Sequence, residues 1–197
     1  MLSGQEIQNG LTGSWRLMFG NSEGLKLLDL SADGFWNSFF AMIVAAPALF
    51  LGWLAYANDI APGPDLTALR YAMIPKLAII DCALWVIPLV LLALSVKSVG
   101  IADRFAAYVV ASNWGSAAVC WLTVPLPILR LVTPATGESF VLVSLVVHIA
   151  TLVLGWRLTN ASIGRGAALA TGVFVGIYLT SLGLLISLQA LLGVPSP

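Results

Sequence analysis

Charge is what this chain has least of. Only 9% of its 197 residues are charged, and nine basic residues balance nine acidic ones. Without a basic block there is no electrostatic footprint for nucleic acid. Histidine occurs once, as His148, which excludes bis-histidine ligation of haem. Cysteine occurs twice, as Cys82 and Cys120. Both fall inside apolar runs and read as small core residues, not as a disulfide framework or a metal site. The sequences HExxH, Walker A, C-x-x-C-H and GxSxG are all absent, and no loop carries paired carboxylates for acid–base hydrolysis. An enzyme is therefore the least supported class, and no cofactor or metal is expected. Ser112 or Ser144 with His148 would be the nucleophile and base of an intramembrane hydrolase, but nothing singles them out.

Apolar residues are what the chain has instead, at 59% of the total. They gather into five runs. A helix needs about 20 mostly apolar residues to cross a hydrocarbon core of about 30 Å. Backbone polar groups must pair internally in lipid, so each run should be helical. The runs are continuous and not alternating, which argues against a membrane β-barrel. The expected fold is all-α: a polytopic membrane protein with five transmembrane helices behind an N-terminal interfacial segment. The spans are placed at about 35–57, 74–96, 105–126, 139–156 and 167–192.

Residues 1–33 form the N-terminal segment and 34–197 the transmembrane domain. The segment carries Glu6, Arg16, Glu23, Lys26, Asp29 and Asp33. Trp15, Met18 and Phe19 share helical spacing, which predicts one or two short helices on the membrane surface with Trp15 and Phe19 dipping inward. The N-terminus lacks the regions of a signal peptide, so the first span is expected to direct its own insertion. Ser31 or Asp33 can cap span 1, and Trp36 and Trp53 or Tyr56 suit its two interfaces. Pro47 and Pro88 predict mid-span kinks. Span 2 begins either at Asp65 as cap or at Pro75 as a first-turn proline. Pro125 and Pro127 end span 3, and a connection with Arg130, Pro134, Gly137 and Glu138 follows.

Basic residues in short loops set orientation. With the N-terminus inside, the inner segments hold Arg16, Lys26, Lys97, Arg104, Arg157 and Arg165, and the outer ones Arg70, Lys76 and Arg130. The expectation is N-terminus cytoplasmic and C-terminus outside, in an integral membrane setting of the bacterial inner-membrane kind.

Two features inside the spans carry functional information. Ala168, Gly172, Gly176 and Thr180 fall four apart on span 5 and form a small-residue face. Ala107, Ala111 and Gly115 do the same on span 3. Helices associate in lipid by close packing, which small residues allow. Either seam can serve an interface with another membrane protein or a second copy, or packing within the bundle. The second feature is polarity at depth: Asp81 in span 2, Asn113 in span 3 and His148 in span 4. At about 1.5 Å per residue all three lie within roughly 6 Å of mid-depth. Ionisable groups there usually face the bundle or a cavity. They can form one polar site, or each can be paired locally, Asp81 with Lys76 or Arg70, Asn113 through one interhelical bond and His148 with a carbonyl.

The layout of a polar N-terminal region, five closely spaced spans, short loops and little after them resembles the Yip1-like family of small membrane proteins. Asp29, Leu30 and Gly34-Phe35-Trp36 are similar to that family's Asp-Leu-Tyr-Gly-Pro-aromatic stretch, without the tyrosine and proline and with a longer spacing. The layout is also similar in style to small bacterial inner-membrane proteins. The resemblance implies a non-enzymatic protein that binds other membrane proteins or shapes lipid. The leading functional expectation is thus association within the bilayer, as a scaffold, accessory subunit or Yip1-like membrane-organising factor, with lipids and membrane proteins as partners. The alternative is a small transporter or channel component lined by Asp81, Asn113 and His148. An odd number of spans argues against paired repeats.

Overall fold

The computed structural model describes residues 3–61, 63–132 and 138–195. Pro62, Pro134, Gly137, Ser196 and Pro197 lie outside the described residues. The described chain is helical throughout: α1 (Gly4–Met18), α2 (Ala32–Asn37), α3 (Ala41–Ile60), α4 (Thr67–Val99), α5 (Phe105–Thr123), α6 (Pro125–Val132), α7 (Glu138–Ile163) and α8 (Ala167–Leu192), with short 3-10 turns at Ser22–Leu27, Ser38–Phe40 and Pro64–Leu66. Five stretches are long and apolar enough to cross a membrane: Ala32–Ile60, Thr67–Val99, Phe105–Val132, Ser139–Ile163 and Ala167–Leu192. The molecule is an all-α polytopic membrane protein with an N-terminal helical segment.

Local chemistry sets the start and stop of α1. Ser3 Oγ accepts from the Glu6 backbone N–H and Glu6 Oε2 accepts from the Ser3 backbone N–H at 2.6 Å. This reciprocal pair satisfies two donors that the first helical turn leaves free. Gly20 ends the helix at φ 82°. Its N–H reaches Leu17 O and that of Asn21 reaches Arg16 O, each at 2.9 Å, so two terminal carbonyls are satisfied by a left-handed residue.

One face of α1 is buried against α5 and α7. Ser14 Oγ donates to Ala111 O at 3.0 Å, and Arg157 donates to Phe19 O at 2.8 Å. A Cβ at Gly10 would strike the Trp114 ring, so only glycine lets the two helices approach this closely. Trp15 and Phe19 stay exposed on the other side with ring centroids 5.0 Å apart, free to meet lipid.

At the start of span 1, Asp29 Oδ1 accepts from Ser31 N and Ser31 Oγ accepts from Gly34 N. Ser31 is therefore the cap of α2. The helices run through Pro47, Pro75 and Pro88. Span 2 starts at Thr67, just past Asp65 and well ahead of Pro75, with Leu66 and not Asp65 at its N-cap, and Arg70 caps the preceding loop by donating to Ala61 O and Gly63 O. Pro125 does not end span 3. It opens α6 as a first-turn proline, whose missing N–H would have no helical partner there. Span 4 continues past Trp156 to Ile163, since Leu158, Thr159, Ser162 and Ile163 are buried.

α5 is the central helix. Ala107, Tyr108, Val109, Val110, Ala111, Asn113, Trp114, Gly115 and Ala117 are all buried, and it contacts α1, α3, α4 and α7. Small side chains permit so many close neighbours. By contrast, α7 exposes Val141, Leu142, Leu145, Val146 and Ile149, as a helix facing lipid should. Cys120 is half-buried but Cys82 is exposed. The expectation of two core cysteines is corrected for Cys82, whose weakly polar thiol is tolerated on an apolar surface.

Candidate functional site: a polar cavity within the bundle

The three polar residues at depth are placed by three different helix pairs. Asn113 is 1% exposed and ties three segments together. Trp85 Nε1 donates to its Oδ1 at 3.0 Å, and its Nδ2 donates to Ser38 Oγ at 2.9 Å. Ser38 Oγ donates in turn to Phe35 O at 2.6 Å. Asp81 accepts from Trp53 Nε1 through Oδ2 at 2.6 Å, joining α3 to α4. His148 sits on the exposed side of α7, with Nε2 3.3 Å from the Tyr178 hydroxyl of α8.

Asp81 and Asn113 line one cavity of about 450 Å³ between α4, α5, α7 and α8. His148 is not in its wall, but Tyr178 is. The residues therefore converge in part: two face a common space, and the third lies behind a tyrosine that does. A second cavity of about 490 Å³ continues toward Tyr56, Gln189 and Arg130. Leu49, Asp81 and Cys120 belong to both walls, so Asp81 stands at the junction.

Neither basic partner expected for Asp81 is used. Among the described residues no Lys, Arg or His nitrogen lies within 4.0 Å of its carboxylate. The Trp53 indole N–H takes the role that Lys76 or Arg70 was expected to fill, and the Trp85 indole makes an interhelical bond of the kind expected for Asn113. Trp53, expected at an interface, turns inward to Asp81, while Trp36 is 69% exposed and suits one. The sequence shows seven tryptophans but nothing in it pairs Trp53 with Asp81, 28 residues further on. The ion pair of Arg130 with Asp59, beside the Phe140 ring, also escaped the sequence, because its members lie 71 residues apart.

The two small-residue seams diverge. On α5 the seam is internal: a Cβ on Gly115 would strike Leu158 and come within 3.1 Å of Met18. On α8, Ala168, Gly172 and Gly176 are exposed and Thr180 is half-buried. Apart from the chain neighbours and α8's own backbone, no atom of the described residues lies within 4 Å of where a Cβ on Gly172 or Gly176 would stand. The helix packs on α4 and α7 instead, burying Ala170 and Val173.

Among the described residues no group of three or more His, Cys, Asp or Glu could hold a metal ion. Fold and site together define a multi-helix membrane protein with a partly open, largely apolar cavity that Asp81 and Asn113 border. No protein-family model, curated protein or solved structure matches the chain.

Proposed function

We propose that this chain is a non-catalytic integral membrane protein that works by association within the bilayer, through the small-residue face of α8. The observation that carries the reading is the open space beyond Gly172 and Gly176. Glycine disfavours helix by about 1 kcal/mol relative to alanine and buries nothing in lipid. A face of glycines gains its value when another helix approaches closely. The seam on α5 is already filled from within, and that on α8 is not.

The finer role is that of a scaffold, an accessory subunit or a Yip1-like membrane-organising factor. The Yip1-like reading rests on the layout and on Asp29, Leu30 and Gly34–Trp36. The setting is an inner membrane of bacterial type with the N-terminus cytoplasmic, supported by the six basic residues of the inner segments against three outside. Reporter fusions at the two ends test this: a C-terminal fusion active only outside the cytoplasm is expected, and one active inside would reverse the topology.

The association test is the double variant Gly172→Leu, Gly176→Leu. Both leucines project into open space, so the isolated fold is expected to survive. If the occupant is a second copy, single-molecule photobleaching in lipid discs should shift from two steps to one. If it is a different membrane protein, that protein should be lost from gentle-detergent purifications. Unaltered association in both assays would sink the reading.

A further inference from the structure

We propose that the cavity beside Asp81 is a binding site for a lipophilic organic cation, an amine or onium group on an apolar body. The inference is independent of association through α8. It starts from an imbalance of charge. A carboxylate at membrane depth is costly unless paired, and Asp81 has one indole N–H on Oδ2 and no cation within 4.0 Å among the described residues. When ionised, Asp81 would be one positive charge short, and a bound cation would supply it.

The rest of the wall suits the same ligand. Trp85, Tyr108, Phe174 and Tyr178 bring four aromatic rings to the cavity. Phe174 and Tyr178 stack with centroids 6.5 Å apart. Aromatic faces attract cations, most strongly when water is excluded. The hydroxyls in the wall add acceptors and few free donors. Ser112 donates to Val109 O, Thr151 to His148 O and Thr159 to Gly155 O, so what each has left to offer is a lone pair. No Lys, Arg or His side chain lines this cavity to hold an anion, which leaves an anion only hydroxyls such as those of Ser116 and Ser181. The volume of about 450 Å³ falls within the roughly 300–1,000 Å³ typical of small-molecule sites.

The adjoining cavity differs. Arg130 lines it but is neutralised by its ion pair with Asp59, whereas the cavity bordered by Trp85, Tyr108, Phe174 and Tyr178 holds no basic side chain. The half-buried Thr151, Leu152 and Ser181 and the exposed Ser116 border the cavity, which leaves it a way in.

Tetraphenylphosphonium and tetraphenylborate have the same shape and opposite charge. Saturable binding of each to the full chain in lipid discs, above that of empty discs, tests the proposal. The phosphonium should bind and the borate should not. Asp81→Asn keeps an oxygen acceptor for Trp53 and removes the charge, and should weaken phosphonium binding at least about tenfold. Ser116→Leu, which keeps Asp81 and narrows the cavity, should also weaken it. Each variant is first checked for monodispersity and helix content. Equal binding of the two ions, no saturable phosphonium binding, or an Asp81→Asn protein that is folded and binds as before would each overturn the site.

Discussion

Asn113 shows how a single side chain can order a bundle. In lipid the gain from an interhelical hydrogen bond is about 1 kcal/mol, too little to drive folding. Its value lies in direction: Asn113 accepts from α4 and donates toward the start of span 1, so three segments have one mutual register. Asn113→Leu removes both partners and leaves the Trp85 N–H and Ser38 Oγ short of one partner each. The expected loss is about 1–3 kcal/mol, read as a lower thermal midpoint in detergent by tryptophan fluorescence. Asn113→Gln, which keeps the amide, should recover part of it. An unchanged midpoint for the leucine variant would mean that these bonds do not hold the register. The presence of Asn113 in a span is legible in the sequence, but its partners are not. Trp85 precedes it by 28 residues and Ser38 by 75, and helical periodicity says nothing about which helix is the neighbour.

At the scale of the element, α1 and α8 are opposites. In α1 glycine allows contact, and in α8 glycine leaves space. Gly10→Ala would push a methyl into the Trp114 ring, and Gly24→Ala would push one into Gly13 O. The backbone at Gly13 cannot swing aside as a side chain can. Gly24→Ala should therefore push the Ser22–Leu27 turn off α1, with faster amide hydrogen exchange in α1 and little change in α4. If exchange in α1 stays slow, the segment is held by other contacts. Gly172→Ala meets nothing in the isolated chain. Its expected effect on the monomer's midpoint is neutral to slightly stabilising, up to about 1 kcal/mol from helix propensity. Gly10 and Gly24 stand among polar residues and Gly172 among apolar ones, but neither setting says whether a glycine is packed against or left open. Periodicity places Gly172 and Gly176 on one face, yet only the packing of α8 on α4 and α7 turns that face outward.

Across the whole molecule, the connections are tied to one another as well as to their helices. Arg165, after α7, donates to Asp103 Oδ1 at 2.8 Å and to Gly100 O at 2.7 Å, both in the loop after α4. The hydrogen bond from Arg165 holds the Asp103 carboxyl below its ordinary value of 3.8. A carboxyl lowered in the folded state adds stability above its unfolded pKa and loses it as pH falls through the folded one. Wild type should exceed Asp103→Asn in thermal midpoint at pH 6, and the gap should close as pH drops below about 3.8. The pair is exposed, so the gap should be small and shrink in high salt. No gap at pH 6 would mean that the loops are joined through Gly100 O alone, and a gap that persists at low pH would mean that it does not come from the Asp103 charge. Asp29, held low by the Ser31 hydrogen bonds, titrates in the same direction, so the comparison is made between variants at each pH.

The number of spans, their apolar nature and the presence of an N-terminal helical segment were determined by the sequence, because lipid imposes a length and an internal hydrogen-bond requirement that any five such runs must meet. Helix ends were less secure: Pro125 reads equally as a stop and as a first-turn residue, and burial of Leu158–Ile163 carried α7 past the polar residues that marked its end. What only the tertiary structure decided was neighbourhood. Each helix satisfies its own backbone, so little in one span reports which other span it touches. That choice depends on side chains meeting from distant parts of the chain. It set Trp53 against Asp81, filled the seam on α5, opened the one on α8, and left a cavity with a carboxylate at its edge.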